Sequence, residues 1–463
     1  MEPIAPILDR VVADKRNLIP TASARLDDGR ILEMVIDPKE GTTRFIIGSA
    51  EGWESRLSLD LPDGRTLVPY SPRNNLLRHK VLLFPSEPEE YGTDAALITA
   101  ITAFIHRHVD VSPLFEKLGT YYVLLSWVFD AFHELPYLRV RGEPGSGKTR
   151  FLQTVGSLCN KPIFASGAST VAPIFRILDA FSGTLIIDES DFRMSDEKAE
   201  VVKILNNGNV RGFPVLRAEA NAQTKEFNPR AYDVFGPKIL ASRGFFEDKA
   251  LESRFLTEEM GTRSLRDDVP MNLPRDHGGE ALHLRNQLLL FRFRNLRKPR
   301  HLETLVDRRI EPRLNQVLVP LLSIIEDPLA REDLYALARA LHHQMILDRG
   351  LELDGQLLAV IQEQWAAGPA VTVKDITNRF LMRHATDYPS FTPKKVGWFL
   401  RKKLGLATER TRDGYVLVAT DAAKLARLYE RYGIEAVDTR VSTTGGSAVD
   451  NPKESRTEDH QEW

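Results

Sequence analysis

The sequence predicts an α/β protein of several domains, with a central parallel sheet, a β-rich segment before it and helical segments after it. Three observations predict this. A glycine-rich segment, residues 142–149, joins a strand-like stretch to a helix-like one. A continuous apolar run, residues 185–187, ends in two acidic residues. Near the C-terminus, helix, turn, helix and hairpin patterns over residues 371–419 are typical of a winged helix-turn-helix.

Composition limits the class of protein. At 463 residues and 42% hydrophobic content, the chain can form three or more domains with large cores. The net charge of −2 means that any nucleic-acid binding must come from local basic patches. The single cysteine, Cys159, excludes a disulfide framework and is expected to be buried. No signal-peptide pattern or membrane-length apolar run is visible, so we expect a soluble, cytoplasmic protein without a membrane partner.

The glycine-rich segment Gly142-Glu-Pro-Gly-Ser-Gly147-Lys148-Thr149 fits G-x-x-x-x-G-K-[ST], a loop that binds nucleotide phosphates. Glycines let backbone N–H groups approach phosphate oxygens, and the following helix N-terminus favours negative charge. Lys148 would reach the β- and γ-phosphates, and the Thr149 hydroxyl would bind Mg²⁺. ATP and Mg²⁺ are therefore the expected cofactors. The predicted nucleotide-binding residues are Gly142, Pro144, Gly145, Ser146, Gly147, Lys148, Thr149 and Arg150.

The second part of the site follows the apolar run, at Asp188 and Glu189. Ligand sites in open α/β sheets lie at the carboxyl ends of the strands, where these side chains would be. Asp188 is predicted to hold Mg²⁺ together with Thr149, and Glu189 to polarise the attacking water.

A third strand-like run, Lys238-Ile-Leu-Ala241, ends at Ser242. In ATPases with an additional strand, a polar residue at this place orients the water, so Ser242 is the candidate. Arg254 follows in Leu251-Glu-Ser-Arg-Phe255. It would enter a neighbouring subunit's site and stabilise charge on the phosphoryl group. The alternative for Arg254 is an ion-paired surface arginine.

The order of these motifs resembles the AAA+ class of ring ATPases, over Leu138 to Leu256. The Ser-Arg-Phe segment is similar to the arginine finger of MCM helicases, and the compact spacing is similar to superfamily 3 helicases and to phage and plasmid replication ATPases. Superfamily 3 enzymes usually carry Asn where this chain has Ser242-Arg243. The resemblance implies a homo-oligomeric ring, most often a hexamer, with ATP bound between subunits.

Residues 210–229 predict a β-hairpin between the acidic strand and Ser242. In the resembling helicases such a hairpin grips nucleic acid in the ring channel, which makes Arg217 and Lys225 candidate DNA contacts. The alternative is that these basic side chains lie on a solvated hairpin and contact no nucleic acid.

The C-terminal pattern supplies the second candidate DNA surface. Residues 371–419 carry ten basic and four acidic side chains, a local basic patch in a chain of nearly balanced charge. Thr392 and Pro393 predict the start of the second helix, Gly405 its end, and Asp413-Gly414 the hairpin turn. A winged helix that contacts protein is the alternative. The predicted DNA contacts are Lys394, Lys395, Arg401, Lys402, Arg410 and Arg412.

The predicted organisation has six parts. They are a β-rich N-terminal domain (1–92), a helical linker or collar (93–135), a P-loop ATPase core (136–260), a helical lid (261–365), a winged-helix DNA-binding domain (366–435) and a disordered tail (436–463). The predicted function is that of an ATP-driven ring motor on DNA, a helicase-like replication ATPase of a mobile genetic element. The alternatives are a nucleotide-gated DNA-binding regulator or defence ATPase without unwinding, and an AAA+ protein remodeller.

Overall fold

The computed structural model describes residues 17–167, 169–188, 195–220, 227–262, 264–368 and 371–434. These residues fall into two compact units, which divide between Arg339 and Ala340. The predicted tail lies outside the described residues. No helix within these ranges is both long enough and apolar enough to cross a membrane.

Two small sheets open the first unit. The four-stranded antiparallel sheet contains β2 (Ser23–Arg25), β3 (Ile31–Asp37), β4 (Thr42–Ser49) and β5 (Gly52–Arg56), and the three-stranded sheet contains β1 (Leu18–Thr21), β6 (Leu59–Asp60) and β7 (Thr66–Pro69). The β-rich content predicted for the N-terminal segment is thus present in residues 18–69. The turns before and after β3 use glycines in the left-handed region, Gly29 at φ 87° and Gly41 at φ 62°.

These sheets are not separate from the central sheet, as the sequence had suggested. Leu32 of β3 and Ile47 of β4 belong to one hydrophobic cluster with Tyr137, Leu185 and Leu240 of the central sheet. The first five residues of β3 are all buried, because both faces of the strand are covered. The predicted domain boundary near residue 92 therefore falls inside the first unit.

The central sheet is fully parallel. Its strands are β8 (Tyr137–Arg141), β9 (Ile163–Ser166), β10 (Leu185–Asp188), β13 (Lys238–Ser242) and β14 (Phe255–Glu259). Across the sheet the order is β14-β8-β13-β10-β9, or 5-1-4-3-2 when the strands are numbered along the chain. The strand before the phosphate loop motif, β8, and the acidic strand, β10, are thus separated by β13, the additional strand.

Helices cover this sheet and extend the first unit to its end. They are α1 (Asn75–Arg78), α2 (Asp94–His108), α3 (Pro113–Val128), α4 (Lys148–Leu158), α5 (Val171–Phe181), α6 (Ser195–Asn207), α7 (Lys249–Glu252), α8 (His277–Asn295), α9 (Pro312–Leu322) and the first half of α10 (Pro328–Leu351). Helix α8 packs on α2, α3, α4 and β4. This helix was expected in a lid, but it is an integral part of the first unit.

A buried charge network joins the N-terminal sheet to the helices. The Arg292 guanidinium on α8 donates to Glu33 Oε1 at 2.7 Å and to Asp130 Oδ1 at 2.7 Å. Lys161 Nζ donates to Glu33 Oε2 at 3.0 Å. Burial alone would raise the pKa of Glu33, but Lys161 and Arg292 hold it below its ordinary value. The carboxylate therefore stays charged and paired inside the protein.

The predicted hairpin is confirmed. Strands β11 (Val215–Ala220) and β12 (Phe227–Tyr232) pair antiparallel. Its tip, including Lys225, lies outside the described residues.

The second unit contains α11 (Leu353–Ala367), α12 (Val373–His384), α13 (Pro393–Lys402), β15 (Thr408–Thr411), β16 (Gly414–Leu417) and α14 (Ala422–Arg431). The Thr392 side chain caps α13 by accepting from the Lys395 N–H, and Pro393 takes the first turn, as predicted. Gly405 has φ 63° and follows the helix end. A bridge between Thr372 and Val416 attaches the hairpin to the start of α12.

Candidate functional site

The predicted phosphate loop connects β8 to α4 at the carboxyl edge of the central sheet. Gly147, at φ 95°, precedes the first residue of α4, and Gly145 has φ 81°. Residues with a side chain rarely adopt these backbone conformations, so both positions require glycine. No side chain caps α4 at Gly147, and its first N–H groups are thus available to an anion. Pro144 and Gly145 are exposed at the loop surface.

Lys148 lies over its own loop. Its ammonium donates to the carbonyl oxygens of Gly142 at 2.6 Å and Glu143 at 2.8 Å. The buried Ser146 hydroxyl has no hydrogen-bond partner within the described part of the chain. A loop with a positioned cation and an unsatisfied hydroxyl fits a bound phosphate group, which would supply the missing acceptors.

Thr149 and Asp188 meet, although 39 residues separate them in the sequence. The Thr149 hydroxyl donates to Asp188 Oδ2 at 2.7 Å. A hydroxyl and a carboxylate are oxygen ligands of the kind that Mg²⁺ takes, and the donor set therefore fits this ion. Glu189, the predicted water-polarising residue, lies outside the described residues.

Ser242 ends β13, between the loop strand and the acidic strand. It is opposite Arg141, the last residue before the loop. The Ser242 carbonyl accepts from the Gly142 N–H at 3.3 Å, and its buried hydroxyl donates to the Gly244 carbonyl at 3.0 Å. Ser242 is thus beside the loop, and its water-orienting role stays a prediction.

A cavity of about 380 Å³ opens beside the loop. Its walls come from loop residues 145–147 and from segments 108–110, 258–262 and 269–271, with the side chain of Leu265. The Arg150 guanidinium donates to the carbonyls of Pro270 at 2.9 Å and Met271 at 2.6 Å. Arg150 therefore lines the cavity and holds one of its walls, and its contact with a nucleotide stays a prediction. Sequence reasoning missed these walls because they carry no motif.

Arg254 lies at the opposite edge of the sheet from the loop. It precedes Phe255, which pairs with Tyr137 at the start of β8, whereas the loop follows the end of β8. Five strand residues separate the two edges, about 15 Å. Arg254 therefore cannot reach the loop of its own chain. Its half-buried guanidinium donates to the Asn206 side chain and to the Ala250 carbonyl, and burial lowers its pKa.

Two other arginines make contacts within the first unit. The Arg217 guanidinium pairs with Glu200 and lies 5.1 Å from the centre of the Phe175 ring. Its contact with DNA phosphates stays a prediction. Arg285 on α8 is buried and donates to the Ser157 carbonyl at 2.6 Å. Ser157 is nine residues along α4 from Lys148, about 14 Å from the loop.

The second unit exposes the predicted cations on one helix and one hairpin. Arg401 donates to Thr408 Oγ1 at 3.1 Å and lies 5.9 Å from the centre of the Tyr415 ring, which joins the two elements. The exposed cations are Lys394, Lys395, Arg401, Lys402, Arg410 and Arg412. Sequence reasoning missed Trp398, an exposed aromatic residue among them.

Neither a family model nor a curated protein sequence matches this chain. Several solved structures are similar to it. The apo C-terminal region of NrS-1 shares 11% identity over 84% of this chain and 96% of that chain, with a TM-score of 0.35. The active helicase Cch of SCCmec type IV shares 12% identity over 91% and 83%, with a TM-score of 0.35. A full-length MCM homologue from Methanopyrus kandleri shares 13% identity over 73% and 85%, with a TM-score of 0.35. Because such scores do not define a common fold, the α/β P-loop architecture follows from the strand order and the loop geometry.

Proposed function

We propose that this chain is an ATP-hydrolysing ring motor that acts on DNA, a helicase-like replication ATPase of a mobile genetic element. One observation carries the ATPase part. The hydroxyl of Thr149 and the carboxylate of Asp188 lie 2.7 Å apart at the carboxyl edge of a parallel sheet, beside a glycine loop with an anchored lysine. These groups would hold a nucleotide and its metal ion.

The proposed division of work follows from these positions. The N–H groups of the loop and Lys148 would bind the β- and γ-phosphates, and the cavity beside the loop would hold the nucleoside. Thr149 and Asp188 would hold Mg²⁺, which when bound neutralises negative charge on phosphate oxygens. Ser242 and Glu189 would orient and deprotonate the attacking water.

A ring is proposed because Arg254 is too far from the loop of its own chain. If Arg254 takes part in hydrolysis, it would do so in the site of a neighbouring molecule, where it would stabilise the charge of the transferred phosphoryl group. A homo-oligomer, with a hexamer as the first candidate, would supply it.

The DNA part rests on the second unit. We infer a winged helix-turn-helix, since α12, α13 and the β15–β16 hairpin occur in that order and the hairpin is bridged to the start of α12. The exposed cations on α13 and the hairpin would contact phosphates.

The test is steady-state ATP hydrolysis by the full chain, with and without single- and double-stranded DNA. Lys148→Ala should reduce turnover by about 100-fold or more, since it removes a charge that stabilises the transition state. Lys39→Ala, an exposed lysine in an N-terminal turn, is the matched control. Turnover that survives Lys148→Ala would contradict the site assignment.

One observation favours a second candidate, a nucleotide-gated DNA-binding regulator without unwinding. The guanidinium of Arg254 is held by its own chain, which would keep hydrolysis slow until a partner released it. Strand separation on a forked duplex distinguishes the two, because only the motor should separate strands while it hydrolyses ATP.

A further inference from the structure

The second unit contains a concave aromatic groove beside the proposed phosphate contacts. Its volume is about 460 Å³, at the turn that leads into α13. Three of its walls are aromatic, the side chains of Tyr388, Phe391 and Phe399. Trp398 forms the fourth wall, and 50% of its surface is exposed. We call these four residues and the space between them the aromatic groove.

The walls of the groove pack against one another and against the core of the second unit. The rings of Phe391 and Phe399 lie 5.8 Å apart, and those of Trp398 and Phe399 lie 5.4 Å apart and nearly perpendicular, at 79°. Phe391 also contacts Phe380 in the buried core of the unit, with ring centres 5.1 Å apart. An aromatic wall that is fixed by core packing can bind a flat ring with little loss of side-chain entropy.

Charge around the groove points to the kind of ring. Lys395 lines it and donates to the Ser390 hydroxyl at 3.1 Å, so its ammonium is held at the mouth. Lys394 lies one helical turn before Trp398 on the exposed face of α13. Asp387 is the one acidic side chain among the lining residues. A flat ring with anionic groups on either side is an unpaired nucleotide within a strand.

We propose that the aromatic groove binds an unpaired base of single-stranded DNA, stacked on Trp398, with the flanking phosphates on Lys394 and Lys395. The inference rests on the proposed DNA binding and narrows it to single strands at this place. A duplex cannot fill the groove, because its bases are stacked on each other and present only their edges. Base–aromatic stacking also accepts any base, so this contact selects the single strand rather than a sequence.

The first experiment measures binding of the full chain to a labelled oligothymidine and to a duplex of equal length, at fixed salt. Trp398→Ala should weaken single-strand binding by about 5-fold to 100-fold, the range that one base–aromatic stack supplies, and should leave duplex binding unchanged. Trp398→Phe should restore most of the affinity. Trp53→Ala is the matched control, since Trp53 is 45% exposed in the first unit.

A second measurement removes bases from the oligonucleotide instead of the indole ring from the protein. An oligonucleotide with abasic positions should bind the unchanged chain as weakly as Trp398→Ala binds the complete strand, and the variant should not distinguish the two strands. Oligothymidine should also quench tryptophan fluorescence, and Trp398→Phe should abolish that part of the quenching. This readout localises the contact even if other parts of the chain bind the strand.

The outcomes separate the two proposals. If Trp398→Ala weakens single-strand and duplex binding equally, or changes neither, the aromatic groove is not a single-strand site and the inference is overturned, while DNA binding itself can stand. If the paired variant Lys394→Ala and Lys395→Ala also leaves both affinities and their salt dependence unchanged, the proposed DNA-binding surface fails as well.

Discussion

The buried ion pair between Arg139 and Glu252 offers the sharpest test of how the site is held together. Arg139 lies in the middle of β8, which leads into the phosphate loop, and its side chain is 2% exposed. Its guanidinium donates to both Glu252 oxygens, at 2.7 and 2.6 Å. Glu252 is on α7, two residues before Arg254. This pair therefore joins the loop strand of the chain to the segment that carries its proposed arginine finger.

Glu252→Gln should destabilise the first unit by about 2 kcal/mol. Removing one partner of a buried pair costs about 3–5 kcal/mol, because the remaining charge is left uncompensated. The glutamine keeps one acceptor, and the Glu252 side chain is 19% exposed. We therefore expect a loss of about 2 kcal/mol, which is below that range. Glu259→Gln is the matched control. Glu259 on β14 pairs with Arg141, which is on the same strand as Arg139, but the Glu259 side chain is 47% exposed, and its loss should cost less than about 1 kcal/mol.

The assay is urea unfolding of the full chain, followed by a double-mutant cycle. In this cycle Arg139 and Glu252 are replaced with methionine, singly and together. The double variant loses both charges, so it should be more stable than the sum of the two single losses predicts, by about 1–3 kcal/mol. Additive losses, or a Glu252→Gln variant as stable as Glu259→Gln, would refute the reasoning. A second readout concerns the arginine finger: Glu252→Gln should lower the rate of ATP hydrolysis more than the affinity for ATP.

Four further predictions follow from single contacts. Arg254→Ala should keep ATP binding and lose hydrolysis, and mixing it with Lys148→Ala should restore part of the turnover if the arginine acts between subunits. Burial lowers the pKa of His277 to about 4, below its ordinary 6.5, so the folded state should lose stability as pH falls from 6.5 to about 4, and His277→Gln should flatten that part of the stability curve. Gly156→Ala should cost about 1–3 kcal/mol, because the new Cβ would lie 2.3 Å from the Ile186 side chain on the acidic strand. Thr392→Ala should cost about 1 kcal/mol by removing the cap of α13, measured by thermal unfolding.

Each of these has a contradicting result. A mixture no more active than its components would oppose the shared site, and an unchanged pH profile in His277→Gln would assign the loss to other groups. Normal unfolding of the Gly156→Ala or Thr392→Ala variants would show that the helix contact or the cap contributes little.

The parts of the structure that the sequence predicts well are those governed by local chemistry. The phosphate loop needs glycine at positive φ and a helix start, and both requirements are visible in residues 142–149. The meeting of Thr149 and Asp188 was also predictable, since both follow strands that end at one edge of a parallel sheet.

The sequence does not show which residues become partners when they are distant along the chain. The contacts of Arg217 with Glu200 and Phe175 are one example. The N-terminal sheets looked independent because burial on both faces is decided by tertiary packing. The run Ile31-Leu-Glu-Met-Val35 carried a signal of it, since apolar residues occupy both of its faces. The groove around Trp398 had no signal, because its walls belong to a turn and a helix that only packing brings together.

The network around Arg292 has a consequence for inherited variation in this protein. The Ser157 carbonyl on α4 accepts a hydrogen bond from Arg285 on α8. About two turns further along α8, Arg292 binds Glu33 of the N-terminal sheet. A displacement of α4 during a nucleotide cycle would thus pass along α8 to the N-terminal sheet. Substitutions at Glu33 would alter ATP turnover although no atom of that residue touches the nucleotide loop, and a genetic screen for activity would find them far from any motif.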